Sequence, residues 1–117
     1  MVHIVYIVKL KRRLNNMYQT IMAQELEMLV RKGQVKVIDV REKSEMSMGY
    51  IKDMIHMPLS EFGNHLQKIN KKDHYYVVCW SGSRSQVASN FLAQQGFKIT
   101  NVLGGMSAYN GDVEYEM

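Results

Sequence analysis

The chemistry-bearing residues of this chain sit close together. Its single cysteine, Cys79, is followed by Trp80, Ser81, Gly82, Ser83, Arg84 and Ser85. Ahead of it, His74-Tyr75-Tyr76-Val77-Val78 is a β-branched and aromatic run that reads as a buried strand. After it, residues 85–95 read as a helix whose apolar face is Val87, Ala88, Phe91 and Leu92, with Gly96 as its stop. The thiol therefore stands where a strand ends, a polar loop turns and a helix begins. The first N–H groups of a helix lack intrahelical partners, and the dipole there is positive. Successive N–H groups in a tight turn form a concavity for an anion. Gly82 lets the backbone turn, and Arg84 adds a permanent charge with a fork of donors. Cysteines in such settings ionise at pKa values of about 3.5–7.5, against about 8.5 for a free thiol. The pattern predicts a thiolate nucleophile in an anion cradle, reachable from solvent and ringed by main-chain amides. The competing reading of a lone cysteine after an apolar strand is a small buried hydrophobe. A buried hydrophobe needs neither the polar loop nor the arginine.

The elements that must position this loop follow in order. Residues 18–21 read as a short strand and 23–32 as a helix with the stripe Leu26, Leu29 and Val30, ended by Gly33. Residues 34–40 read as a buried strand. Asp39 and Arg41 stand at its C-terminal end, where ligands approach a parallel sheet. Arg41 either faces the anion site or forms an ion pair and carbonyl clamp that fixes the loops. A short helix from Ser44 carries Glu45 in its first turn and ends at Gly49. Residues 53–57 read as a strand closed by Pro58, and Ser60 caps a helix with the face Phe62, Leu66 and Ile69. Residues 98–103 are the last strand, Gly104-Gly105 turns into a short helix holding Tyr109, and the tail 111–117 is expected to fray. Met46, Met48, Met54 and Met57 cluster in sequence and could line one side of a site. Strands alternating with helices at this spacing imply an α/β fold of parallel βαβ units.

At these residues the chain resembles the single-domain rhodanese-like sulfurtransferases. Cys79-x-x-Gly82-x-Arg84-Ser85 is similar to their active-site loop, and Val37-Ile38-Asp39-Val40-Arg41-Glu42 to their strand ending in Asp-Val-Arg. Glu45 with Gly49-Tyr50-Ile51 resembles a Glu…Gly-His-Ile stretch, with Tyr50 in place of His. Ile55-His56-Met57-Pro58 resembles a short strand ending in proline, and Gly104-Gly105-Met106 with Tyr109 a Gly-Gly-Met-x-x-Trp motif. The resemblance runs from about residue 20 to 109. It implies a central, mainly parallel five-stranded sheet with helices on both faces, and it favours the clamp role for Asp39 and Arg41.

Composition narrows the partners. A chain of 117 residues with 46% hydrophobic and 22% charged residues fits one globular domain. One cysteine allows no internal disulfide, which suits a reducing, cytoplasmic setting. No apolar run is long enough to span a membrane. The formal charge of +4 comes from Lys9, Lys11, Arg12 and Arg13; the other eleven basic residues match the eleven acidic ones, so no nucleic-acid-binding face is implied. Residues 1–16 form an extension ahead of a domain at 17–117. Arg12-Arg13 could be encoded by codons that spell a bacterial ribosome-binding sequence, which would make Met17 the natural start; the gene sequence tests this. A membrane-surface arm and an extra edge strand are the other readings.

The expected reaction is transfer of a sulfane sulfur, from a small anionic donor (thiosulfate-like or a persulfide) to Cys79 and on to an external thiol, a protein cysteine or cyanide. Trp80, Ser81, Gly82, Ser83, Arg84 and Ser85 would bind the donor, and no cofactor or metal is called for. Trp80 reads as an exposed docking handle or a lid. The alternatives are a non-catalytic interaction or sulfur-carrier module and, less favoured, a small cysteine-based phosphatase. Phosphatase loops place five residues between Cys and Arg, where this chain has four.

Overall fold

The computed structural model describes residues 17–115; the predicted extension at 1–16 lies outside the described residues. In chain order the elements are β1 (Gln19–Met22), α1 (Ala23–Lys32), β2 (Lys36–Asp39), a 3-10 helix (Lys43–Met48), β3 (Ile55–His56), a kinked 3-10 stretch (Leu59–Lys68), β4 (His74–Val78), α2 (Ser83–Gln94), β5 (Lys98–Leu103) and α3 (Gly105–Ala108). The strands form one sheet in the order β1-β5-β4-β2-β3, with every pairing parallel.

Side-chain alternation along the strands decides the layers. Ile38, Tyr75, Val77 and Ile99 point to one face, where they pack with Ala88 and Leu92 of α2. Val37, Val78 and Val102 point to the other, where they meet Ala23 and Leu26 of α1 and Met106 of α3. Both faces are thus covered, as a parallel sheet requires. All strands run the same way, so their C-terminal ends share one edge of the sheet. Cys79 follows β4 at that edge, and Asp39 ends β2 there.

Several expectations are corrected. The apolar face read for α2 is only half buried: Val87 and Phe91 are 60% and 41% exposed. The docked stripe is Ser85, Ala88, Ser89 and Leu92, whose mostly small side chains face the sheet, while Phe91 meets Phe62 edge-on at 6.0 Å. Ser60 caps no helix; Pro58 occupies the cap position, and the Ser60 hydroxyl donates to the Glu42 carboxylate at 2.5 Å. Tyr109 follows α3 as its C-cap and packs in the α1-side core. The tail is tied down as far as Glu114, which exchanges backbone hydrogen bonds of 2.8 and 2.7 Å with Tyr50. The four clustered methionines do not line one site: Met57 is in the α2-side core, Met54 packs on the α1 side, and Met48 is half exposed.

Candidate functional site

Cys79 continues the alternation of β4, so its side chain points the same way as Tyr75 and Val77, into the α2-side core. For that reason Cys79 is fully buried, not open to solvent as the loop composition suggests. Its Sγ accepts a hydrogen bond from the Gly82 amide at 3.0 Å. The thiol in turn donates to Ser85 Oγ at 3.4 Å, and the Ser85 hydroxyl donates to the Gly82 carbonyl at 3.1 Å. Of the expected ring of amides, Gly82 is the one that reaches sulfur among the described residues. Gly82 does so with a φ of 118°, in the left-handed region that favours glycine. The bonding of α2 starts with the Gln86 amide on the Gly82 carbonyl, which leaves the amides of Ser83, Arg84 and Ser85 without intrahelical acceptors. Trp80, Ser81 and Ser83 form the exposed outer surface of the loop.

Arg84 does not stand free. Its Nη1 and Nη2 donate to Glu45 Oε2 and Oε1 at 2.6 and 2.8 Å, a two-point pair. Glu45 is itself fixed by the capping box of the 3-10 helix, where its carboxylate accepts from the Glu42 amide at 2.8 Å. The Arg84 hydrogen bonds hold the Glu45 carboxyl below its ordinary range, against a smaller opposing push from desolvation. A carboxyl depressed in the folded state contributes its full stabilisation above its unfolded value of 4.5 and loses it as pH falls through the lower folded value. The stability difference between the wild type and E45Q is therefore expected to be level from about pH 7 to 5 and to shrink below about pH 4. Solvent screening keeps it under about 1 kcal/mol. Thermal unfolding across that range checks it.

Asp39 and Arg41 form the clamp. Arg41 is fully buried; its Nη2 and Nε reach Asp39 at 2.8 and 3.1 Å, and Nη2 also donates to the Gly49 carbonyl at 2.8 Å. Nη1 donates to the Glu45 carbonyl at 3.4 Å. The sheet edge is so linked through Arg41 to the 3-10 helix, and through the Glu45 side chain to the loop. His56 Nε2 bonds the Arg41 carbonyl at 2.7 Å, a structural place.

A further support comes from the Gly104-Gly105-Met106 stretch, which the motif reading named without a part in the site. The Met106 and Ser107 amides at the start of α3 donate to the carbonyls of Cys79 and Trp80, both at 2.8 Å. Gly105, with φ 54°, packs against those carbonyls; a Cβ there would collide with the carbonyl oxygens of Cys79 and Trp80. Gly105→Ala is expected to lower stability by roughly 2–3 kcal/mol and to displace the loop. Urea denaturation and the alkylation rate of Cys79 measure the two effects.

Two surface cavities, of about 330 and 390 Å³, lie elsewhere; one is lined by Val35, Ile51 and Asp112, the other by Glu27, Arg31 and Tyr109, and neither touches the loop. Among the described residues no helix is long and apolar enough to cross a membrane.

The family described as "Rhodanese-like domain" matches residues 22–112. Two Bacillus subtilis proteins, named "Putative sulfur carrier protein YrkF" and "Putative sulfurtransferase YtwF", are each 36% identical, over 68% and 67% of this chain. The chain spans 44% of the length of the first and 76% of the second. A crystal structure of a rhodanese-like domain protein from Staphylococcus aureus is similar with a TM-score of 0.77 at 33% identity, covering 85% of this chain and 99% of that one.

Proposed function

This chain belongs to the rhodanese-like domain family, and within it we propose that Cys79 carries sulfur as a persulfide between a sulfane donor and an external thiol or cyanide. The observation that carries the reading is the sulfur's placement at the start of α2, held by the Gly82 amide and the Ser85 hydroxyl. The Cys79 thiolate attacks the outer sulfur of the donor; that sulfur's old S–S bond breaks, and the bonding pair leaves with the remainder of the donor. An acceptor thiolate or cyanide then takes the terminal sulfur and returns Cys79 to a thiolate. The two half-reactions give ping-pong kinetics.

Each group has a stated part. When the thiol ionises it no longer donates to Ser85, so the Ser85 hydroxyl is free to turn from the Gly82 carbonyl and donate to sulfur. The Gly82 amide already does so, and the unpaired amides of the first turn of α2 stabilise negative charge on the added sulfur. Ser81 and Ser83 supply hydroxyls at the outer face. Arg84, through Glu45, orients the loop, and Asp39 with Arg41 holds the support beneath it. The burial of Cys79 adds a requirement: the loop must yield for a donor to arrive. That burial, with Trp80 38% exposed beside it, is what favours the second reading, a module that binds a partner through this face without chemistry.

One experiment separates the two. The folded protein is treated with iodoacetamide, and in parallel with thiosulfate and with glutathione persulfide, then weighed intact. Sulfur transfer requires alkylation of Cys79 under native conditions and a gain of one sulfur that dithiothreitol reverses. A thiol that reacts only after denaturation, with no adduct from either donor, leaves the interaction module.

A further inference from the structure

The charge balance at the loop bears on which donor it takes, a question that rests on the sulfur-transfer reading above. Thiosulfate arrives with two negative charges. When Cys79 removes its outer sulfur, the S–S bond breaks and sulfite leaves with the bonding pair, again as a dianion. An organic persulfide arrives as R–S–S⁻ with one charge, and the departing R–S⁻ takes up one proton from water. No net oxidation occurs in either case, but the first needs far more positive charge at the mouth.

That charge is already spent within the protein. Arg84 is the only guanidinium of the loop, and each of its terminal nitrogens donates a hydrogen bond to the Glu45 carboxylate, which balances its charge. Arg41 is buried against Asp39. The loop contains no lysine, and Lys43 stands on the exposed side of the 3-10 helix. Beside the exposed Ser81 and Ser83 the surface carries apolar side chains: Trp80 is 38% exposed, and Met22 and Leu103, partners across β1 and β5, are 46% and 48% exposed. Leu103 lies against the loop, with its Cδ1 3.7 Å from where a Cβ on Gly82 would be.

We propose that Glu45 is a specificity-determining residue, neutralising Arg84 so that the site takes sulfur from an organic persulfide in preference to thiosulfate. The apolar side chains of Trp80, Leu103 and Met22 then meet the organic part of the donor, and the single negative charge is met by main-chain amides.

The test measures the rate of persulfide formation on Cys79 by rapid mixing and mass spectrometry. The persulfide of an uncharged alkyl thiol and thiosulfate are compared at equal concentration and neutral pH, each rate divided by that donor's rate with a small free thiol. The expected result is a corrected preference for the persulfide of at least tenfold. In E45Q, with its fold checked by circular dichroism, Arg84 loses its paired carboxylate and the preference is expected to narrow at least fivefold. A wild-type protein that reacts with thiosulfate as readily as with the persulfide overturns the proposal, and so does a preference that E45Q leaves unchanged. A chain that takes sulfur from neither donor removes the transfer reading itself and this proposal with it.

Discussion

Cys79→Ser is expected to abolish the sulfur adduct and to lower transfer to cyanide by more than about a thousandfold. The reason is chemical. A serine hydroxyl occupies nearly the same volume and can take the place of Sγ beside Gly82 and Ser85, so the loop keeps its bonds. It is far less readily ionised than a thiol, and it cannot hold sulfur as a persulfide. Stability is expected to change by no more than about 1–2 kcal/mol, because the hydroxyl inherits both hydrogen-bond partners. Intact mass after donor treatment and the rate of thiocyanate formation give the result. A serine variant that keeps more than about a tenth of the activity would place the chemistry elsewhere. A variant that loses transfer but retains a binding partner would show that the fold also serves as a docking module.

Asp39→Ala is expected to cost about 3–5 kcal/mol, the largest stability effect among the site residues. Arg41 is fully buried. Without Asp39 its guanidinium keeps only the carbonyls of Gly49 and Glu45 as acceptors and loses its counter-charge in a region water does not reach. Breaking one side of a buried pair costs more than the pair contributes, because the remaining charge cannot be resolvated. Asp39→Asn keeps the shape and one acceptor, so it is expected to fall between. The loss should reach the loop as well, since Arg41 anchors the 3-10 helix whose Glu45 holds Arg84. Urea unfolding gives the first quantity and the alkylation rate of Cys79 the second. A loss below about 1 kcal/mol for Asp39→Ala would mean that the clamp is dispensable.

The loop shows how far local pattern reaches. Cys79 lies at a strand-to-helix junction because the β-branched run before it and the helical spacing after it are both local features, and β4 and α2 form where those features place them. The parallel sheet follows from the alternation of strands and helices, and α1 occupies residues 23–32 as its stripe and Gly33 predict. The clamp between Asp39 and Arg41 was one of two readings that the strand end left open, and the family resemblance favoured it. The face of α2 was not. Helical periodicity identifies an apolar stripe, but which stripe docks depends on how close the helix sits to the sheet, and here the small residues Ser85, Ala88 and Ser89 permit the close approach.

Residue types and near-neighbour spacing thus set the order of elements and single out Cys79 and its loop at a strand-to-helix junction. Tertiary structure alone decided what that loop experiences. Glu45 meets Arg84 across 39 residues of sequence, and α3 brings its amides to the carbonyls of Cys79 and Trp80 from beyond β5. Charge pairing at such separations has no periodic signature, because it depends on how crossovers return the chain to one edge of the sheet. The same return covers the sulfur: Cys79 is buried by the register of β4 against α2, a packing outcome that the polarity of its neighbours in sequence does not carry.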